Sequence, residues 1–429
     1  MLTDPHLAMS FVLSARHSCF NSQPARVGRP AMSPKSPLDL RDLCTVLSVA
    51  ATVAIAIALP GIFIARRSRN PKDARHALDP KEHQIRQAVQ KFMQPQEYPH
   101  GPLVERPVEK VIRDRIKKWS YGPTLLSGPY GSGKTWARQH ALNGVRSVFV
   151  FNGLVRGENW LEEFYRELGV DGYWILHTTL RRVRDELLKH PDNLTKVPVI
   201  VVEIPRLPGT AAGVTRFVAG KADELSRKLQ LAHVLVVATD EEACARLAFR
   251  QSYVSWRHIV VEDLTEEEAV SMLQLNGHQD AAQSVIDTCG RNVLDLSAAC
   301  RWLAEGLPLV TVQEKLEWCA THRLWCLLSC YVERLDARIP VGRILLRKLL
   351  ENKEIGDGTG ISDSAMYSDM SQGFWPDEAM ACINEAGAYA VVWHPVDRKY
   401  RFSSDFYWHL AASLCSTRDE FARAMRETG

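Results

Sequence analysis

Short, nearly unbroken apolar runs alternate through the middle of this chain with stretches whose apolar residues recur at helical spacing. The runs cover residues 124–127, 147–151, 197–203, 234–240 and 256–261. Runs of this length with no polar face suit strands buried on both sides, as in a parallel sheet. Residues 108–119, 160–168, 177–188 and 214–230 read as the intervening helices. In the first of them Val108, Val111, Ile112, Ile116 and Trp119 mark one face. The alternation predicts an α/β core over 100–262. Ligands of such sheets sit at the carboxyl ends of the strands, where Ser127, Glu203 and Thr239 fall.

Beyond residue 262 the pattern becomes helical. Thr265 with Glu268 three positions on forms a capping box. Helices are predicted over 281–288, 293–305 and 312–335, a helical lid spanning 263–335. The last segment, 336–429, predicts a helix over 341–351, a polar glycine-rich interruption over 355–373, and then helix, strand, turn, strand and helix. The hairpin arms are 388–394 and 399–402, turning at 395–398. That order is the outline of a winged helix.

A different pattern precedes the core. Residues 43–65 run for 23 positions without a charge, long enough at about 1.5 Å per residue to cross a bilayer. Arg66, Arg67, Arg69, Lys72 and Arg75 follow directly. The expectation is a single membrane span, with the residues after it in the cytosol or an organelle matrix. Residues 66–99 read as a juxtamembrane linker with some helical character. Residues 1–42 are rich in Arg and Ser with few acids. They read either as a mitochondrial transit peptide or as an extramembrane tail.

Composition narrows the classes. A net charge of +3 makes no overall electrostatic case for nucleic acid. The ten cysteines contain no C-x-x-C pair, which argues for a reducing compartment and against a disulfide framework or zinc site. Cys326 and Cys330 read as packing residues. Trp318 and Trp325, seven apart, read as a core stripe, and His394 and His409 have no partners at ligand spacing.

The chemistry is concentrated in residues 128–135, Gly128, Pro129, Tyr130, Gly131, Ser132, Gly133, Lys134 and Thr135. They fit G-x-x-x-x-G-K-[ST], the phosphate-binding loop. Its glycines let backbone N–H groups converge on an anion. Lys134 reaches the β and γ phosphates of ATP, and the Thr135 hydroxyl can ligate Mg2+. A strand before the loop and a helix after it give the context the motif needs, with the helix dipole facing the phosphates.

Glu203 is the candidate second Mg2+ ligand at a strand end. A hydrolase commonly carries an acid next to it, and here Ile204 and Pro205 follow. Either the general base is missing or Glu203 does both tasks, and slow turnover is expected. Thr239 or Asp240 can sense the γ-phosphate from the neighbouring strand tip. Arg246, Arg250 and Arg257 are candidate arginine fingers toward a neighbouring subunit, Arg257 first among them. Arg291 stands at a helix start in the lid, within reach of the phosphates from above. Tyr130 is placed to cover the nucleotide.

The order of these pieces resembles AAA+ and STAND-type P-loop ATPases, especially the archaeal-type branch. The matching pieces are residues 104–107 (VERP), 128–135 (GPYGSGKT), 197–203 (VPVIVVE), 234–240 (VLVVATD) and 260–269 (VVEDLTEEEA), followed by a lid-like stretch at 289–303 and a winged-helix-like stretch at 389–410. The likeness covers about residues 100–415. It implies a P-loop core, a helical lid and a winged helix. Ile204 departs from the pattern of members that hydrolyse. A membrane span ahead of such a module resembles membrane-anchored mitochondrial ATPases, which makes the mitochondrial inner membrane one candidate location.

Three functions fit the sequence. The first is a membrane-anchored ATPase switch with a protein partner or a second copy of itself. The second is a scaffold that holds ATP without hydrolysis. The third is nucleic-acid binding through the winged helix, where Lys315, Arg343, Arg347 and Lys348 are interspersed with acids.

Overall fold

The structure, a computed structural model, describes residues 79–98, 104–153, 160–204, 212–239, 241–250, 253–334, 337–354, 360–362, 364–366, 376–385, 389–417 and 423. The chain divides into two units, Met1–Ala77 and Leu78–Gly429. The first unit, with the expected membrane span at 43–65, lies outside the described residues. Among the described residues no helix is long and apolar enough to cross a membrane.

Five parallel strands form the core: β1 (Thr124–Ser127), β2 (Val148–Asn152), β3 (Val199–Ile204), β4 (His233–Ala238) and β5 (Arg257–Val260), in the order β2-β3-β4-β1-β5. This is the α/β sheet expected of a P-loop core. β4 lies between the strand that feeds the phosphate loop and the strand that carries Glu203 next to its last residue. The register aligns Leu126 with Val237 and Val237 with Glu203, so the carboxyl ends of β1, β4 and β3 lie side by side.

The inner strands β1, β3 and β4 bury both faces. On one face Leu126, Val201, Leu235 and Val237 pack against Ile112 and Ile116 of α2 (Pro107–Lys117) and Ala137 and Ala141 of α3 (Lys134–Leu142). On the other, Leu125, Ile200, Val202 and Val236 meet α4 (Trp160–Leu168), α5 (Tyr173–Leu187) and α6 (Ala212–Asp223). The apolar runs of these three strands are unbroken because helices cover both of their faces.

The stretch expected as a linker adds to this core. Helix α1 (Pro80–Met93), N-capped by Asp79, buries Ile85, Ala88 and Phe92 against α5 and β2. Those three positions lie on one helical face, and each large side chain so buried contributes about 1.5–3 kcal/mol. The helix is part of the folded body rather than a spacer.

After β4 comes α7 (Glu241–Ala245), and after β5 the lid: α8 (Glu266–Leu275), α9 (Ala282–Cys289), α10 (Val293–Ala304) and α11 (Leu309–Leu328). The Thr265–Glu268 capping box is formed in both directions. Leu273, Val285, Leu296, Val312 and Leu316 make a separate small core. The helix expected to continue to residue 335 stops at Leu328, and an antiparallel pair, β6 (Val332–Arg334) and β7 (Ala337–Ile339), follows. The β-branched Val332 and Ile339 face each other across it, and Pro340 ends it. A lid boundary at 335 would cut through this hairpin.

The C-terminal body contains α12 (Val341–Glu354), the short strand β8 (Ile361–Ser362), α13 (Pro376–Glu385), β9 (Val391–His394), β10 (Lys399–Phe402) and α14 (Asp405–Thr417). β9 and β10 form the hairpin expected around 395–398, and β8 adds to β10, giving the order β8-β10-β9. Trp318, expected in the core, is 63% exposed and stacks on His322, while Trp325 packs against the core.

Candidate nucleotide site

The loop of residues 128–135 joins β1 to α3. Its backbone takes the left-handed turns that the glycines permit, with φ of 81° at Gly131 and 88° at Gly133, the N-cap of α3. A side chain at Gly128 would bring Cβ to 2.1 Å from the Val261 carbonyl oxygen, and one at Gly131 to 2.5 Å from Asn292 Oδ1. These positions are glycine because neighbouring residues press directly on the loop.

Lys134 is buried. Its ammonium donates to the Gly128 and Pro129 carbonyls at 2.9 and 2.7 Å. The hydroxyls of Ser127 and Ser132 are buried and have no hydrogen-bond partner among the described residues. Orphaned donors at an anion-binding turn are what a phosphate oxygen would satisfy. Tyr130 N–H donates to Glu241 Oε1 at 3.0 Å, so a buried carboxylate from the first turn of α7 rests on a loop amide.

Other segments hold the loop, and sequence reasoning missed two of their residues. Arg106, the residue before α2, donates to Ser132 O at 2.8 Å, Glu262 O at 2.8 Å and Asp263 O at 3.3 Å. Asn292, the N-cap of α10, donates to Tyr130 O at 2.9 Å and Asp263 Oδ1 at 3.0 Å, and accepts from Leu294 N at 3.0 Å. The sequence signals were an arginine immediately before the Pro at a helix start, and an asparagine at an N-cap. Burial pushes the Asp263 carboxyl from 3.8 up to about 6, against the pull of the Asn292 hydrogen bond and the nearby Lys134 ammonium.

Beside the N-terminus of α3 lies a cavity of about 250 Å³, lined by Val104, Trp136, Leu264, Met272 and Val293 together with the polar Arg106, Glu109, His140, Asn276 and Ser297. Apolar walls with a few polar groups suit a flat heterocycle attached to phosphates. A second cleft of about 270 Å³ runs from Pro129 and Asp263 to Arg401 and Trp408 of the C-terminal body, and Arg291 lines it.

The remaining candidates scatter. Thr135 is exposed on the first turn of α3. Glu203 is bound to Arg138, with Nη2 to Oε1 at 2.5 Å. Ile204 beside it is fully buried. The Thr239 hydroxyl donates to Ile204 O at 2.6 Å, which commits it to the backbone. Arg257 pairs with Thr124 at the start of β1, the opposite end from the loop, about 10 Å away at about 3.3 Å per residue. Tyr130 stacks on Tyr389, with ring centroids 4.4 Å apart. Asp240 and the side chain of Arg250 lie outside the description.

The residues fit a nucleotide: a glycine-shaped cradle, a lysine on it, orphaned hydroxyls and an adjoining cavity. They do not fit Mg2+ equally well. The strand-end acid already has a buried guanidinium on it.

No protein-family model matches the chain, and no curated protein does. Solved structures with related folds include a Walker-type ATPase of Pyrococcus abyssi, at 12% identity over 74% of this chain and 99% of that one, TM-score 0.45. The ORC1 protein of Aeropyrum pernix in complex with DNA matches at 13% identity over 74% and 92%, TM-score 0.31. A RuvB variant of Thermotoga maritima matches at 14% identity over 72% and 95%, TM-score 0.31. Each score lies below 0.5, and the reading of the site rests on its own geometry.

Proposed function

We propose that this chain binds ATP between its sheet and its helical lid and acts as a nucleotide-dependent switch with little or no hydrolysis of its own. The observation that carries this reading is the loop itself: glycines compressed by their neighbours, Lys134 bent over them, and a cavity of about 250 Å³ at the adjoining helix N-terminus. Low turnover is supported by Ile204, a buried aliphatic side chain where a second acid would orient the attacking water.

The switch reading is supported by what grips the loop. Asn292 ties it to the lid, and Tyr389 ties it to the C-terminal body, which we read as a winged helix. Phosphates entering the loop would act on both contacts. Arg257, exposed on the edge strand β5, takes part only by reaching the loop of a second copy of the chain. The uncharged run at 43–65 supports a single-pass membrane anchor.

Calorimetry on the full chain tests the central reading. Wild type is expected to take up ATP, and Lys134→Ala to bind at least about tenfold more weakly through loss of the charge at the phosphates. Absence of uptake by folded wild type at millimolar ATP would overturn it.

A further inference from the structure

Glu203, the last residue but one of β3, lies on the sheet face that packs against α3, and its carboxylate meets the second turn of that helix rather than the first. There Arg138 is 3% exposed and donates from Nη2 to Glu203 Oε1 at 2.5 Å, and from Nη1 to the Tyr98 hydroxyl at 2.7 Å. The guanidinium also lies 5.4 Å from the Tyr98 ring centroid. Thr135 sits one turn nearer the phosphates, three positions before Arg138 on the same helix, with its side chain open to solvent. The acid is thus paired with a buried cation, while the hydroxyl with which it would share a metal faces solvent.

We propose that Arg138 supplies to Glu203 the positive charge that Mg2+ would otherwise bring, so that this site binds nucleotide without depending on a divalent cation. The inference rests on the nucleotide-binding reading above and specifies its cofactor requirement. Two features make the exchange of Arg138 for a metal unfavourable. Pulling the carboxylate away leaves a guanidinium buried with only a phenol to pair with. Mg2+, for its part, keeps several of its waters and is held largely through substrate phosphates, so a nucleotide can carry the ion without Glu203 leaving Arg138. Tyr98 is the structural support: its hydroxyl and ring hold the guanidinium in the one orientation that reaches Glu203. This tyrosine comes from the segment after α1, so the helix expected as a linker helps position the pair.

The test compares ATP binding by the full chain in excess Mg2+ and in EDTA. Wild type is expected to show dissociation constants within about threefold of each other, because the strand-end acid gains nothing from the metal. Arg138→Met, which frees the carboxylate, is expected to make binding tighter in Mg2+ than in EDTA by about tenfold or more, and Arg138→Lys, which keeps a cation, to restore the wild-type indifference. Electron paramagnetic resonance with Mn2+ gives a readout apart from affinity: protein-coordinated Mn2+ is expected in Arg138→Met with ATP and not in wild type. Wild-type binding that weakens tenfold or more in EDTA, or wild-type Mn2+ coordinated by the protein, overturns the proposal and leaves nucleotide binding standing. Should Arg138→Met fail to fold, these wild-type results still decide. Loss of binding in both conditions overturns the nucleotide reading itself, and this inference with it.

Discussion

The ring of Tyr130, inside the phosphate loop, lies against the ring of Tyr389 in the C-terminal body, with centroids 4.4 Å apart and planes 16° from parallel. The contact joins residues more than 250 positions apart in the sequence. It makes the loop answerable to a body that contributes none of the phosphate-binding motif. An aromatic pair of this kind is worth about 0.5–1.5 kcal/mol beyond its burial. Tyr389→Ala is therefore expected to lower stability by about 1 kcal/mol beyond the loss of the ring's burial, as a denaturant titration of it beside Tyr389→Leu would read. The alanine variant should lose any ATP-induced change in the protease sensitivity of residues after 341. If ATP still protects that region as in wild type, the stack is not the coupling element.

Glu241 provides the second expectation. Its buried carboxylate occupies the Tyr130 N–H at 3.0 Å, and a phosphate arriving in the loop brings like charge to it. Removing that charge while keeping an acceptor, as in Glu241→Gln, is expected to tighten ATP binding by about tenfold, a modest fraction of the Coulomb energy of close charges at a protein surface. Calorimetry of the two proteins side by side checks this. Weaker binding by the variant would instead give Glu241 a role in holding the ligand.

Asp263 makes a pH-dependent contribution. Its folded-state pKa of about 6 lies above its ordinary 3.8. The folded state therefore holds the proton more tightly, and that stability is fully present below about pH 3.8 and lost as the pH rises through about 6. Asp263→Asn keeps an oxygen that can accept from Asn292 and cannot ionise. It is expected to be more stable than wild type at pH 8 by on the order of 1–2 kcal/mol, after allowing for the part of the residue that water reaches, and to lose the advantage near pH 4. Thermal melts of both proteins across that range measure the difference. A constant gap between them would show that Asp263 ionises normally in the folded chain.

Much of the architecture was legible because buried parallel strands and a phosphate loop leave local marks. The runs at 124–127, 197–203 and 234–240 became β1, β3 and β4 with small shifts at their ends, since no polar face is tolerated between two layers of helices. The Thr265 capping box and the hairpin around 395–398 were also readable, because capping and tight turns depend on neighbouring residues. Two elements misled. Residues 329–339 carry apolar residues that suit a helix as well as a hairpin, and Pro340 together with strand pairing decided for the hairpin. Residues 80–93 are largely polar, and only the packing of Ile85, Ala88 and Phe92 on α5 and β2 makes them part of the core.

By itself the sequence determined the phosphate loop, since glycine spacing, one lysine and the flanking strand and helix are all encoded within about a dozen residues. It also determined that the acid near the end of β3 is followed by an aliphatic residue. Only the tertiary structure decided what those groups do, because that depends on contacts between segments far apart in the chain. Arg138 meets Glu203 across 65 residues, Glu241 reaches Tyr130 across 111, and Asn292 reaches the same residue across 162. Charge pairing in a folded interior is set by which side chains burial forces together, and no local spacing records it.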